Sequence, residues 1–425
     1  MGGGRDALLL SKDYYKAKSS LVPCCLCKAL EYKKYFMKIL YFSFVELDIP
    51  NACQTHTLGV LTGFERNSCK IDAIVPRPKK IRPIINGARF YYLWPWRFST
   101  LGRLWIKVLG GIFFFMLCLW NKYDAIYVRE LEVNPFPRWC SIVFRIPLYI
   151  EVNGILLQDL KYSDANQKRI LRAERYQTAD FSHATGLIVP SYSRLRWIID
   201  YYDLKPSKVH MILNGADITP NPKIKRSKVL KDLGLPEDGF HLGFLGNIWV
   251  SYDLKSILKA MELCQKEMPN LYLIIIGNGP EIDNFRIKAQ KKQLASKLVF
   301  LGYIQPELLF EIMGAVDVGL MNLTKKGLQD LGPVTTRFAT YAAFQLPVIA
   351  NNLFLEHYPD ELNAGLSVVP CEDPQALAQM IIWLYKHPED RKAKSEILHN
   401  FVVKNLTWDS VAKEIMDVIC HDKQI

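Results

Sequence analysis

The segment with the clearest potential for chemistry is Leu271–Glu281, LYLIIIGNGPE, in which an apolar run ends in a glycine-rich turn. Glycine has no side chain, so the backbone at such a turn can approach a ligand closely. The spacing is not that of a dinucleotide fingerprint, because the third glycine of GxGxxG would fall on Ile282. Hydride transfer is therefore not predicted. Two interpretations remain open, a nucleotide site and a tight turn between a strand and a helix.

Further short motifs accompany this run between Met37 and Leu406. They are Asn51-Ala52 with His56, Glu151–Gly154, Val189–Ser191, Asn214–Asp217, Phe244–Asn247, Phe300–Tyr303, and Tyr341–Ala343 followed by Pro347–Ala350. In order and spacing they resemble the family-4 glycosyltransferases of GT-B architecture, in which a strand followed by GxGPE marks the donor domain. The resemblance implies a retaining transferase that moves a sugar from a nucleoside diphosphate to an acceptor. We predict no cofactor besides the donor substrate, and no metal, since the one CxxC pair has no second Cys or His pair at ligand spacing.

The resemblance also implies which residues form the site. The donor-binding candidates are Gly246, Asn247, Gly277, Asn278, Gly279, Pro280, Tyr303, Thr340 and Tyr341. The acceptor-side candidates are Asn51, Ala52, Glu151 and Gly154, with Asn153 and His56 as catalytic candidates beside them. Asn153 can hydrogen-bond a sugar hydroxyl but cannot act as a base at neutral pH. For His56 the alternative is a histidine packed on its helix.

The sequence departs from the family where cations are expected to hold the diphosphate. Departure of a nucleoside diphosphate builds negative charge on phosphate, so donors aimed at it are the main catalytic need. Family members carry an Arg after the glycine of the first donor-domain strand and a Lys a few residues later. Here these positions hold Asn247 and Tyr252.

Two family glutamates spaced eight apart likewise fall on Gly332 and Thr340. Arg337, three residues before Thr340, is the candidate diphosphate ligand and a further catalytic candidate. The alternatives for Arg337 are a solvated helix charge or an ion pair, and Lys325 and Lys326 are alternative cations. Retaining transfer needs no enzyme nucleophile if the leaving phosphate takes the acceptor's proton, so the lost carboxylates do not exclude activity.

Short apolar strands separated by helix-length stretches must position these residues. The predicted strands are Lys38–Val45, Lys70–Val75, Ala125–Val128, Leu148–Val152, Gly186–Val189, Val209–Leu213, Phe240–Leu245, Leu271–Ile276, Leu298–Leu301, Val316–Met321 and Pro347–Ala350. This alternation predicts the α/β class, as two facing Rossmann-like domains with parallel sheets, the GT-B fold. Open parallel sheets bind ligands beyond the carboxyl ends of their strands.

Length and composition predict the domain organisation. At 425 residues two domains are expected. We predict an N-terminal extension over 1–36, an acceptor domain over 37–215, a linker over 216–228 containing Pro220 and Pro222, and a donor domain over 229–404. The last segment, 405–425, is predicted to be a helix that braces the first domain.

Charge and cysteine usage restrict the partners and the compartment. The 54 Lys and Arg against 42 Asp and Glu give a net charge of +12, which favours an anionic partner. Nucleic acid is not predicted, since no binding motif or basic stripe is present. The 10 cysteines form no disulfide or metal framework, and no secretory signal is visible. These features predict a cytoplasmic protein.

The segment Tyr91–Trp120 interleaves Trp and Phe with basic residues, a mixture typical of a membrane interface. Its uncharged part, Val108–Trp120, is shorter than the roughly 20 residues that cross a bilayer as a helix. A buried core helix and partial insertion at a membrane surface remain open, and the second suggests a lipid-linked or polysaccharide-precursor acceptor. Two other functions remain open, a catalytically silent relative that binds a partner, and a sugar-nucleotide epimerase using Glu151 and Asp330.

Overall fold

The computed structural model describes residues 37–48, 51–79, 82–93, 99–129, 134–154, 156–157, 160, 166–218, 225–246, 248–327 and 335–422, with the backbone alone over 99–107, 306–307, 335 and 356–357. Within these ranges the chain forms two compact units. The N-terminal unit comprises 37–215 and 408–422, and the C-terminal unit comprises 216–407. Several predictions lie outside the described residues: the extension 1–36, both linker prolines, Asn247, Asp330 and Gly332.

A seven-stranded parallel sheet forms the centre of the N-terminal unit, in the order β3-β2-β1-β4-β5-β6-β7. The strands are β1 (Lys38–Phe42), β2 (Lys70–Pro76), β3 (Ala88–Leu93), β4 (Ala125–Arg129), β5 (Leu148–Glu151), β6 (Gly186–Val189) and β7 (Val209–Met211). All six predicted strands of this half are present. The sequence pattern missed β3, an edge strand whose side chains are half-buried or exposed.

Helices connect these strands and cover the sheet. They are α1 (Ala52–Arg66), α2 (Ser99–Trp120), α3 (Phe136–Phe144), α4 (Gln167–His183) and α5 (Tyr192–Tyr202). Polar caps determine where three of them begin, because the side chains of Asn51, Asn166 and Ser191 accept a backbone N–H from the first turn. None of the described helices combines the length and apolarity that crossing a bilayer requires.

The C-terminal unit contains a six-stranded parallel sheet in the order β10-β9-β8-β11-β12-β13. Its strands are β8 (Phe240–Leu245), β9 (Leu271–Ile276), β10 (Leu298–Gly302), β11 (Val318–Met321), β12 (Val348–Asn351) and β13 (Leu366–Val369). Its helices are α6 (Arg226–Asp232), α7 (Leu254–Cys264), α8 (Ile282–Lys291), α9 (Pro306–Met313), α10 (Thr335–Ala343), α11 (Asp360–Asn363), α12 (Pro374–Lys386) and α13 (Pro388–Asn405). The final helix, α14 (Trp408–Asp422), packs on α1 in the N-terminal unit.

The strand order reverses once in each sheet, between β1 and β4 and between β8 and β11. At such a switch point the connections leave in opposite directions and open a crevice beyond the carboxyl ends of the strands. The residues that follow β8, and those that end β4 and β5, therefore lie where ligand contact is expected. Each unit therefore has its own candidate edge for ligand contact.

Candidate functional site

Two loops meet at the carboxyl edge of the C-terminal sheet, one after β8 and one after β9. Gly246 N–H donates to the Ile276 carbonyl at 2.8 Å, and Ile248 N–H donates to the Asn278 carbonyl at 3.0 Å. Gly277 has φ +132°, and a Cβ there would lie 2.1 Å from the Gly246 carbonyl oxygen. Glycine at this position is therefore required by the neighbouring backbone. The tight-turn interpretation accounts for Gly277, while Asn278 and Pro280 remain exposed at the same edge.

The Arg337 side chain lies across the loop after β8. Arg337 belongs to the first turns of α10 and is 4% exposed. A Cβ on Gly246, which has φ +121°, would lie 2.4 Å from Arg337 Nη2. Gly246, directly after β8, thus leaves room for the guanidinium, which a side chain at this position would obstruct.

Aromatic rings hold the guanidinium of Arg337 in place. Its central carbon lies 4.6 Å from the ring centroid of Phe244 and 4.4 Å from that of Tyr252. Contacts at this distance attract a cation to the face of the ring. Tyr252 occupies the position where the family resemblance implies a Lys, so an aromatic side chain that supports a cation stands where a cation was expected.

No acid neutralises Arg337 among the residues that the structure describes. It forms no ion pair there, and its Nε is buried without a hydrogen-bond acceptor. A buried charge that lacks a partner is costly, and such groups are normally paired or bind a ligand. The carboxyl edge of this sheet therefore carries a positive charge with unused donor capacity.

Other donor-side candidates have different settings. Tyr341 is fully buried, and its hydroxyl donates to the Gly243 carbonyl at 2.9 Å and accepts the Leu245 N–H at 2.8 Å. Its side chain ties strand ends together and is not presented at the edge. The Thr340 hydroxyl donates to the Thr336 carbonyl of its own helix at 2.9 Å. Tyr303, after β10, is half exposed.

A wide groove opens to solvent beside the loop after β8. Its volume is about 560 Å³, and its lining includes Trp249, Tyr252, Lys255, Glu281 and Thr324. Because Tyr252 also contacts Arg337, the groove begins next to the aromatic rings that hold the cation. The edge thus has space for a ligand larger than an ion. Lys325 and Lys326, the alternative cations, are exposed and directly follow Thr324 of the groove lining.

The carboxyl edge of the N-terminal sheet carries a buried polar cluster. His56 Nε2 lies 2.9 Å from Glu151 Oε1 and 3.0 Å from Asn214 Oδ1, while Arg129 Nη1 donates to His56 Nδ1 at 3.0 Å. Asn153 Nδ2 donates to Glu151 Oε1 at 2.6 Å. Because an arginine can only donate, Nδ1 must accept and Nε2 must carry the proton. Both ring nitrogens of His56 are therefore engaged.

The cluster keeps Glu151 ionised. Burial by itself raises the pKa of a carboxyl group, but the interactions with His56, Arg129 and Asn153 outweigh it and lower the pKa of Glu151 to about 2. A carboxylate with so low a pKa is a weak base. A cavity of about 10 Å³, which holds about one water-sized group, touches His56, Glu151, Asn153 and Asn214. The arrangement can hydrogen-bond hydroxyl groups but is not poised to remove a proton.

Three acceptor-side candidates lie near the cluster without joining it. Asn51 is exposed and its side chain caps α1, accepting the Gln54 N–H at 2.9 Å. Ala52 is exposed and Gly154 is half-buried. Arg129 was missed by the sequence interpretation, although a charge that directly ends an apolar strand, AIYVR, is a usable signal. In the described residues, no group of three or more His, Cys, Asp or Glu side chains could hold a metal ion.

The two parallel sheets and their switch points define a protein of the GT-B fold. The chain aligns over 91% of its length with all of Anabaena HepE, solved with UDP and glucose, at a TM-score of 0.68 and 14% identity. A sucrose-phosphate synthase from Thermosynechococcus elongatus aligns over 91% of this chain and 98% of its own, at 0.67 and 16%. These likenesses establish the fold.

Sequence comparison gives the family of the C-terminal unit. Residues 239–387 match the family described as glycosyl transferases group 1, so the C-terminal unit contains a group 1 glycosyltransferase domain. The O-antigen biosynthesis glycosyltransferase WclY of Escherichia coli is 21% identical over 272 residues, 63% of this chain and 71% of WclY. An uncharacterized glycosyltransferase of Methanocaldococcus jannaschii is 20% identical over 390 residues, 85% of this chain and 92% of that protein.

Proposed function

We propose that this protein transfers a hexose, with retention of anomeric configuration, from a UDP-sugar to a lipid-linked or polysaccharide-precursor acceptor. The observation that carries the proposal is Arg337, a buried guanidinium without an acidic partner among the described residues, at the carboxyl edge of the group 1 domain. A nucleoside diphosphate supplies the negative charge that this position lacks. A uracil nucleotide is favoured because HepE was solved with UDP.

In the proposed reaction Arg337 neutralises the diphosphate as it leaves the anomeric carbon. The bond between that carbon and the phosphate oxygen breaks, and the acceptor hydroxyl forms the new glycosidic bond on the same face of the sugar. The leaving phosphate takes the hydroxyl proton, so no enzyme carboxylate is needed. A preorganised cation that faces the developing charge is the largest contribution a protein can make to such a step.

The acceptor side of the proposal uses the polar cluster of the N-terminal unit. Glu151 and Asn153 present hydrogen-bonding groups to the small cavity beside His56, which has room for about one hydroxyl group. WclY acts in O-antigen biosynthesis, which supports a polysaccharide-precursor acceptor. The described cysteines are all free thiols, which is consistent with a reducing, cytoplasmic site of action.

The experiment that tests the donor site is calorimetric titration of UDP into the wild type and into Arg337→Gln and Arg337→Lys variants. A charge-assisted hydrogen bond contributes roughly 1.5–3 kcal/mol, so Arg337→Gln should weaken UDP binding by about tenfold to a hundredfold. Arg337→Lys keeps the positive charge and should therefore lose less UDP affinity than Arg337→Gln. Retention of configuration is tested by incubating the enzyme with a UDP-hexose and an acceptor. NMR of the anomeric proton then gives the configuration of the product.

Arg391 provides the matched control. Its guanidinium also lies over a ring, 5.0 Å from the centroid of Phe240, but at the start of β8 and so at the opposite edge of the sheet. Arg391→Gln should leave UDP affinity unchanged. Equal UDP affinity in the wild type and Arg337→Gln would contradict the proposed role of Arg337.

The two rival functions predict different results. A silent relative would bind neither UDP nor GDP, and no sugar would be transferred. An epimerase would convert a UDP-sugar without any acceptor, which needs a proton-accepting group, and Glu151 is a weak base with its pKa lowered to about 2. The low pKa of Glu151 favours transfer over epimerisation.

A further inference from the structure

Nine large apolar side chains are exposed on α2 and α3 of the N-terminal unit. They are Val108, Leu109, Ile112, Phe115, Leu119 and Trp120 on α2, and Trp139, Ile142 and Val143 on α3. We name this set the α2–α3 surface. Exposed apolar residues are common singly, whereas a contiguous group marks an interaction site. We propose that the α2–α3 surface docks on an anionic lipid bilayer.

The two helices form one continuous face. The rings of Phe115 on α2 and Phe144 on α3 lie 4.9 Å apart, and a Cβ on Gly111 would lie 2.3 Å from the Phe136 ring. Each helix leads into one of two paired parallel strands, β4 or β5, so the helices run in the same direction. Their exposed apolar residues therefore lie side by side.

The opposite side of α2 is already used by the protein core. Phe114, Leu117 and Cys118 are buried, while Ile112, Leu119 and Trp120 on the same helix are 51%, 56% and 69% exposed. A helix that is apolar on all sides is normally covered on all sides. The exposed side of α2 thus lacks the cover that its composition requires.

The charge of α2 and α3 and the length of the helices indicate that a lipid bilayer covers the α2–α3 surface. Residues 99–120 and 136–144 contain no Asp or Glu, and the exposed Lys122 and Arg145 follow the ends of α2 and α3 at the same edge of the sheet. Trp120 and Trp139 suit the boundary between headgroups and acyl chains. Because no described helix is able to span a bilayer, the surface would lie on the membrane. A second copy of the chain fits less well, since self-pairing would oppose like charges.

The surface differs from the one that sequence alone suggested. Residues 91–93 pair within the edge strand β3, so that end of the segment belongs to the sheet. The α3 residues Trp139, Ile142 and Val143 lie outside Tyr91–Trp120, and only the fold brings them beside α2. The inference extends the proposed function by giving the protein a position at the membrane, where a lipid-linked acceptor would be found.

Vesicle flotation of the full chain tests the inference. The wild type should float with vesicles of phosphatidylcholine and phosphatidylglycerol, bind phosphatidylcholine vesicles less, and lose binding as salt rises. Ile112→Glu and Ile142→Glu place a charge in each half of the surface. Each should lower the vesicle partition coefficient about tenfold or more, because insertion buries these side chains in the interface.

Ile287→Glu is the matched control, since Ile287 and Ile112 are each 51% exposed but lie in different units. It should float like the wild type, with melting temperatures showing that all variants are folded. Equal flotation of all four proteins would overturn the inference. So would a wild type that ignores vesicles but forms a dimer that Ile112→Glu dissociates. UDP titration of the same variants separates the proposals, because loss of flotation should leave UDP binding intact.

Discussion

Arg337 is in a setting where an arginine seldom stays without an acid. Its guanidinium is held by the rings of Phe244 and Tyr252 and fits against a glycine that has no side chain to obstruct it. At the two positions where the resemblance implies Arg and Lys, this chain has Asn247 and Tyr252. The Tyr252 ring contacts the guanidinium of Arg337, which belongs to α10. At the residue scale, the chain supplies the cation from α10 rather than from the loop after β8.

Glu151 gives a prediction on pH and stability. Its pKa is lowered from 4.5 to about 2 in the folded protein, so the folded state binds the proton less readily than the unfolded chain. The ionised group therefore stabilises the fold above pH 4.5, by about 3 kcal/mol, and this contribution is lost as the pH falls from about 4.5 to about 2.

Comparing the wild type with Glu151→Gln measures this contribution. The difference in free energy of unfolding, from urea titrations, should be largest near pH 6 and should shrink as the pH falls through that window. His56→Ala removes the largest favourable partner of Glu151 and should flatten the same dependence. A difference that stays constant from pH 6 to pH 3 would refute the assigned role of the cluster.

The contact between α1 and α14 is the clearest case at the scale of elements. Trp408, the first residue of α14, packs its indole against α1 at Gly59, where a Cβ would lie 2.1 Å from the ring. The glycine therefore makes the close approach of the two helices feasible. The same indole lies 5.3 Å from the His56 ring, so this contact also supports the polar cluster.

Gly59→Ala should destabilise the protein by roughly 1–3 kcal/mol, because the added methyl group overlaps the indole and the helices must separate. In an exposed helix the same change would stabilise by up to about 1 kcal/mol. The test is a double-mutant cycle on thermal and urea unfolding, with Trp408→Ala as the second change. Removing the indole should abolish the cost of Ala at position 59. An equal cost in both backgrounds would show that the indole does not require Gly59.

At the scale of the whole molecule, the two sheets share a fold and differ in chemistry. The C-terminal edge carries an unneutralised cation and a wide groove. At the carboxyl edge of the sheet in the N-terminal unit, the opposite charges of Glu151 and Arg129 offset each other beside a small cavity. This difference is consistent with one unit for a diphosphate and the other for an uncharged part of an acceptor.

Hydrogen exchange of the full chain with UDP tests this division. Added UDP should slow exchange in 246–254 and 277–282 of the C-terminal unit, because ligand contact reduces local opening. Residues 52–66 and 148–154 should change little. Arg337→Gln at the same UDP concentration should show less slowing, because UDP binds this variant more weakly. Protection centred on 148–154 would instead place the nucleotide on the N-terminal unit.

Local pattern determined the class of fold and most of its strands. Runs such as KILYF and LYLIII are apolar enough to predict buried strands without knowledge of their neighbours, and the alternation with helices indicates parallel sheets. The edge strand β3 was missed because its half-exposed residues give a weak signal, and the sequence interpretation also missed β13, a mostly buried strand of four residues. The sequence by itself also indicated the donor edge and Arg337, since both follow from motifs that are short in sequence.

Tertiary structure decided what these residues contact. Arg337 and Tyr252 are 85 positions apart, and only the reversal of strand order at β8 and β11 brings them together. From sequence, His56 was either a catalytic candidate or a packed histidine, and only the fold brings Arg129 and Glu151, from two other elements, to its two ring nitrogens. The α2–α3 surface likewise joins two segments, and only the one containing α2 was singled out from the sequence. Side-chain chemistry is local to a residue, but pKa, charge balance and exposure depend on neighbours that the chain supplies from a distance.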